Sequence, residues 1–258
     1  MTPLRNKYCP TTFILVVLIF VFTCGPKPTP QSKFKNFLQE ASDKVSEGDY
    51  ENALKYYRKA LKINYKEPQL YREMAYCFEK MSMNDSAITY YEGAIVFNPK
   101  DIDSYQSIGN IYYKQKMYHE AMTWYDRGME LGYLYPQNYC RLASIYYRWG
   151  EYDRAKDYYK NAIMVDSSFS EAYYGLGLVN YLSGDTVMAE TYFLSAFDTG
   201  PNPNSAFMLG KIFFEHDQFA KAEKWFDSYL ELDPNGDFSY KAKEYKRIIM
   251  IRRRSGEK

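Results

Sequence analysis

Hydrophobic and small side chains in this chain recur in a fixed register. Alanine stands at Ala53, Ala87, Ala121, Ala155, Ala189 and Ala222, with gaps of 34, 34, 34, 34 and 33 residues. Four residues beyond each alanine is an aromatic: Tyr57, Tyr91, Tyr125, Tyr159, Phe193 and Phe226. Three further on the side chain is usually small, at Ala60, Ala94, Gly128, Ala162 and Ala196, with Tyr229 as the exception. Offsets of four and seven share one helix face, so each set predicts an amphipathic helix with its polar residues turned away.

A second pattern lies about twelve residues upstream of each alanine from Ala87 on. It is an apolar residue followed by a small one: Met74-Ala75, Ile108-Gly109, Leu142-Ala143, Leu176-Gly177 and Leu209-Gly210. Tyr71, Tyr105, Tyr139 and Tyr173 precede these pairs, and Phe78, Tyr112, Tyr146 and Phe213 follow them, on one stripe at helical spacing. Each period therefore predicts two helices, and a period of this length marks a stack of supersecondary units. One unit cannot bury its apolar face alone, so the stack is expected to be stable only as a continuous array.

The order of these residues resembles the tetratricopeptide repeat family, which carries an aromatic, a Leu-Gly or Leu-Ala pair, a tyrosine, an alanine, an aromatic, a small residue and a closing proline. Pro99, Pro201 and Pro234 match the proline, whereas Tyr65, Tyr133 and Ser167 stand in its place elsewhere. The resemblance implies an all-α fold, a right-handed α-solenoid of about six helix-turn-helix units at 34–67, 68–101, 102–135, 136–169, 170–202 and 203–236. Residues 237–258 are expected to form a capping helix and basic tail, with Tyr240, Tyr245, Ile248 and Ile249 facing inward and Arg252-Arg253-Arg254 favoured by the C-terminal helix dipole. At the other edge, Phe37, Glu40, Ala41 and Lys44 depart from the family pattern, as a water-facing end would.

The N-terminus is a separate object. Arg5 and Lys7 precede an unbroken apolar run from Phe13 to Phe22, which predicts an export signal over 1–23. Pro10 and Gly25-Pro26 limit a helix there to ~15 residues, about 22 Å against a hydrocarbon core of about 30 Å. Val21-Phe22-Thr23-Cys24 resembles the lipobox of bacterial lipoproteins, which implies lipidation of Cys24; an uncleaved signal anchor and ordinary cleavage are the alternatives. Residues 24–33, with three prolines, read as a semi-rigid tether.

Chemistry is sparse. A formal charge of +1 carries no nucleic-acid footprint. His119 and His216 lack partners at metal-ligand spacing, Cys77 and Cys140 lie two repeats apart and are expected to be separate thiols, and no phosphate-binding glycine loop is present. Gly175-Leu176-Gly177 lies inside a first helix, without the strand a dinucleotide motif needs. Asp85, Asp153 and Asp185 stand where second helices begin and are expected to cap them. These readings point away from an enzyme and imply no cofactor or metal.

In the tetratricopeptide family the first helices line the concave face, which implies a binding groove there. Residues opposite the packed stripe are its candidates: a polar strip of Arg72, Gln106, Asn110 and Arg148, and an aromatic strip of Tyr113, Tyr147, Tyr174, Tyr181, Phe207 and Phe214, with Tyr76 and Lys211 alongside. The carboxylate clamp of some family members is incomplete, because Asn110 matches but Gln106 replaces its lysine neighbour. The reading is a non-catalytic scaffold that binds a peptide or protein segment. It is tethered in the bacterial cell envelope by a lipid anchor facing the periplasm, or by a single signal anchor in the inner membrane. The alternatives are a carbohydrate or small-ligand receptor on the tyrosine-rich strip, and a signal-anchored adaptor or assembly factor.

Overall fold

The computed structural model describes residues 29–132 and 135–255, and the expectations for the signal segment, Cys24 and Tyr133 lie outside them. Among the described residues there are thirteen helices and no strand. In chain order they are α1 (Pro30–Ser46), α2 (Tyr50–Leu61), α3 (Pro68–Lys80), α4 (Asn84–Phe97), α5 (Ile102–Lys114), α6 (Tyr118–Glu130), α7 (Pro136–Arg148), α8 (Tyr152–Val165), α9 (Ser170–Leu182), α10 (Thr186–Thr199), α11 (Pro203–Glu215), α12 (Phe219–Leu232) and α13 (Ser239–Ser255). No described helix is long and apolar enough to cross a membrane. The described residues divide into two compact units, unit one up to Ile108 and unit two from Gly109 on.

Both units are stacks of the same device. Every anchor alanine from Ala53 to Ala222 has no exposed surface, and the aromatics four residues on are between 0% and 6% exposed. The turn between paired helices repeats as well. It carries a left-handed residue at one fixed position: Gly48, Ser82, Lys116, Gly150, Gly184 and Asp217, with φ between 56° and 82°. The amide after each of these donates to a carbonyl five residues back, as in Met117 to Tyr112 (3.0 Å) and Asp185 to Asn180 (3.0 Å). This closure satisfies carbonyls that the end of the first helix leaves free, and turns the chain back in three residues.

In unit one, α1 and α2 and then α3 and α4 form helix pairs around Tyr57, Met74, Ala75, Phe78 and Tyr91. α1 starts at Pro30, earlier than expected, because Thr29 accepts from the Ser32 amide (3.1 Å) and proline fits the first helical turn. Of the three aspartates expected as caps, Asp185 accepts from the Met188 amide (3.0 Å). Asp85 and Asp153 instead lie inside the first turns of α4 and α8, where a carboxylate meets the positive end of the helix dipole.

Unit two explains the small residues of the first helices. A Cβ on Gly109 would stand 2.5 Å from the Tyr125 ring, one on Gly177 2.5 Å from Phe193, and one on Gly210 2.7 Å from Phe226. Each glycine is the seat of the aromatic from its own second helix. Gly175 does the same for Tyr159 of the preceding repeat, at 2.2 Å, so Gly175-Leu176-Gly177 is a packing element that takes a ring on either side.

The last helix, α13, closes the stack. Ala242 and Ile249 are fully buried, Tyr245 lies flat on Phe226 (5.1 Å between centroids, 2° between planes), and Phe238 stacks on Phe207 at 4.4 Å. Tyr240 is 77% exposed, contrary to the expectation, because the inward face runs through 242, 245 and 249. The basic tail folds back: Arg252 meets Asp217 at 3.2 Å, and Arg253 meets Glu223 at 2.7 Å.

Candidate functional site

On unit two a cavity of about 560 Å³ opens along the first helices. α7 supplies Gln137, Cys140, Arg141 and Ser144, and α5 ends beside them with Tyr113. Tyr159 of α8, Glu171 and Tyr174 of α9 with the preceding Phe169, and Asn202 and Asn204 at the start of α11 complete the wall. Gln137, Arg141 and Ser144 follow one another at four and three residues, which aligns them on one face of α7.

Arg141 is central to that wall. Its guanidinium lies over the Tyr113 ring, 5.4 Å from the centroid. The Ser144 hydroxyl donates to the Arg141 carbonyl (2.8 Å), so its oxygen accepts from the Tyr113 hydroxyl (2.8 Å). This chain of contacts fixes the ring that carries the cation. The Arg141 Nε is buried without a hydrogen-bond partner in the protein. Burial holds the Tyr174 hydroxyl at a pKa of about 12, and pushes the Tyr159 hydroxyl and the Cys140 thiol well above their usual values, with Glu171 adding to the effect on Cys140. All three are protonated at neutral pH: the hydroxyls are donors, and the thiol is not a nucleophile.

Of the residues expected in the groove, the structure brings Tyr113 and Tyr174 into this cavity. Asn110 is engaged elsewhere, accepting from the buried Tyr125 hydroxyl (2.9 Å). Tyr147 is half-buried beside Tyr152 (6.0 Å), and Arg148 covers the Tyr118 ring at 6.0 Å. Tyr181 donates to Glu215 (2.7 Å) while Lys211 lies over its ring at 4.9 Å and pairs with the same carboxylate, a closed surface cluster. Phe207 is corrected: Phe238, just before α13, stacks on it and leaves it 4% exposed, while Phe214 is half-buried against Tyr245 of α13 at 4.7 Å.

Arg72, Tyr76 and Gln106 belong to unit one. Arg72 pairs with Asp101 (2.7 Å) and Asp103 (2.9 Å) and donates to Gln69, while the buried Asp101 also accepts from Ser104 (2.7 Å). It is a tie between α3 and the start of α5. Tyr76 is exposed, with Lys80 over its ring at 5.1 Å, and Gln106 is half-buried.

Comparison with known proteins follows the same repeats. Family models described as tetratricopeptide repeat match residues 136–169, then 44–67 and 102–131, then 188–237, together more than half of the chain. The chain is a tetratricopeptide repeat protein. No curated protein matches it significantly. Solved structures do. PilF of Pseudomonas aeruginosa is 17% identical with a TM-score of 0.68, over 83% of this chain and 98% of that one. The C-terminal part of a repeat protein from Cytophaga hutchinsonii is 19% identical with a TM-score of 0.63, over 81% and 85%. YrrB, described as a tetratricopeptide repeat protein with an unusual peptide-binding site, is 18% identical with a TM-score of 0.55, over 73% and 97%. At these identities the likeness is one of fold.

Proposed function

We propose that this tetratricopeptide repeat protein is a non-catalytic interaction scaffold whose first-helix cavity around Arg141, Tyr113 and Tyr174 holds a segment of another protein. The observation that carries the reading is the cavity itself: rigid tyrosines supply apolar contact, and hydroxyl, amide and guanidinium donors set orientation, the mixture that peptide sites use. The peptide-binding site in the description of YrrB agrees with it. The apolar run from Phe13 to Phe22 and the Cys24 context support a tether in the bacterial cell envelope, with the repeats facing the periplasm.

Capture from envelope extract on the immobilised full chain tests the binding half. A protein retained by the wild type and lost in Tyr113→Ala and Tyr174→Ala supports it; retention indifferent to both variants refutes it. The same tyrosines favour a second reading, stacking on sugar rings. Glycan fragments that bind and are lost in Tyr174→Ala, with no protein captured, select that reading. For the tether, mass spectrometry of the membrane-extracted protein is expected to find a diacylglyceryl-modified Cys24 as first residue; an intact Met1 overturns it.

A further inference from the structure

We infer that Arg141 is the receptor for a carboxylate carried by the bound segment, either an acidic side chain or a chain terminus. The inference rests on the cavity holding a protein segment, as proposed above, and names the chemistry that it selects.

Of the other cations named for the groove or the cap, Arg148 is exposed over the Tyr118 ring and Arg254 is exposed on the tail, both away from the cavity lining. Arg72 meets two aspartates, Lys211 meets Glu215, and Arg253 meets Glu223. Arg141 has no acidic partner among the described residues, although its Nε is buried. Buried polar atoms in folded proteins are as a rule hydrogen-bonded, so the unpaired Nε stands out. The site is built to hold the cation in place. Tyr113 lies under the guanidinium, and Ser144 locks Tyr113. A planar fork of donors fixed against an aromatic face at the wall of a cavity matches a carboxylate bidentately.

Glu171 defines the other side of the preference. It is exposed, in the first turn of α9, where the helix dipole favours it, and it lines the same cavity without pairing to Arg141. One acid on the ligand is drawn to Arg141, and a second near it is repelled. The preferred segment carries a single carboxylate flanked by neutral or basic residues.

The test uses three pools of randomised octapeptides and the purified full chain, read by fluorescence polarisation. One pool is blocked at both ends with a fixed central aspartate, one has asparagine in its place, and the third is the asparagine pool with a free C-terminal carboxylate. The wild type is expected to hold one acidic pool about tenfold more tightly than the blocked asparagine pool, ~1.4 kcal/mol, in the range of a charge-assisted hydrogen bond. Which acidic pool wins identifies the source of the carboxylate. The preference is expected to vanish in Arg141→Gln, to persist in part in Arg141→Lys, and to increase in Glu171→Gln, a surface change that leaves the core untouched. Equal binding of all three pools, lost in Tyr174→Ala, overturns the carboxylate inference and leaves the groove standing. Failure of every pool to bind removes the groove reading and this inference with it.

Discussion

Aromatic rings and the glycines beneath them set the spacing between helices in unit two, residue by residue. Tyr159 sits on Gly175 and Phe193 on Gly177, with no room for a Cβ at either glycine. Both rings are buried, so they cannot swing aside. Gly175→Ala and Gly177→Ala are each expected to destabilise by about 1–3 kcal/mol, the range for overpacked cores, measured by urea denaturation. Gly175→Ala is also expected to disturb binding, since the Tyr159 it displaces lines the cavity. Unchanged midpoints in both variants contradict the packing described. At the same scale, Cys77 has its thiol pushed up to about 11 by burial, and Cys140 is raised further. Neither is expected to react with Ellman's reagent at pH 8 until denaturant is added, and rapid labelling of the native protein in a variant with Cys9 and Cys24 replaced by serine contradicts this.

Helix pairs close through a turn that needs a left-handed residue, and the sequence meets that need unevenly. Gly48, Gly150 and Gly184 adopt it freely, whereas Ser82, Lys116 and Asp217 hold the same conformation with a Cβ in the way. A left-handed L-residue costs roughly 1–2 kcal/mol, against roughly 0.5–1 kcal/mol for the extra freedom glycine loses on folding. Lys116→Gly is therefore expected to stabilise by about 0.5–1 kcal/mol, seen as a higher midpoint in thermal unfolding. A lower midpoint is the contrary result. The elements themselves were legible in the sequence because alanines, aromatics and small residues repeat at helical spacing. The inward face of α13 was less so: it stands outside the period, and Tyr240 and Tyr245 are equally apolar until the phase of that helix is known. The site was legible only in part, for a related reason. Tyr113 and Tyr174 were found because aromatics opposite the packed stripe stand out. Gln137, Arg141 and Ser144 were missed, although their own i, i+4, i+7 spacing was the signal. Phe207 was misplaced because only contact with the capping segment distinguishes a groove aromatic from a covered one.

Across the whole molecule, stability depends on many tyrosines buried in their neutral form. Burial raises Tyr57, Tyr91, Tyr125 and Tyr159 above the ordinary value of 10.0. The sign follows from linkage. Below pH 10 both states hold these protons and the contribution is complete; above it the unfolded chain releases protons that the folded chain keeps, so stability falls as pH rises toward the folded values. Thermal unfolding followed by circular dichroism is expected to give a constant midpoint from pH 8 to 9.5 and a falling one beyond 10. The central claim, that the first-helix cavity is the binding surface, is tested most directly by site-specific photocrosslinking in cells. A photoreactive residue replacing Gln137 on the cavity wall is expected to trap a protein, in an adduct lost with Tyr174→Ala, while the same probe at Met164, 83% exposed on a second helix, traps none. Adducts from position 164 but not from position 137 contradict the account.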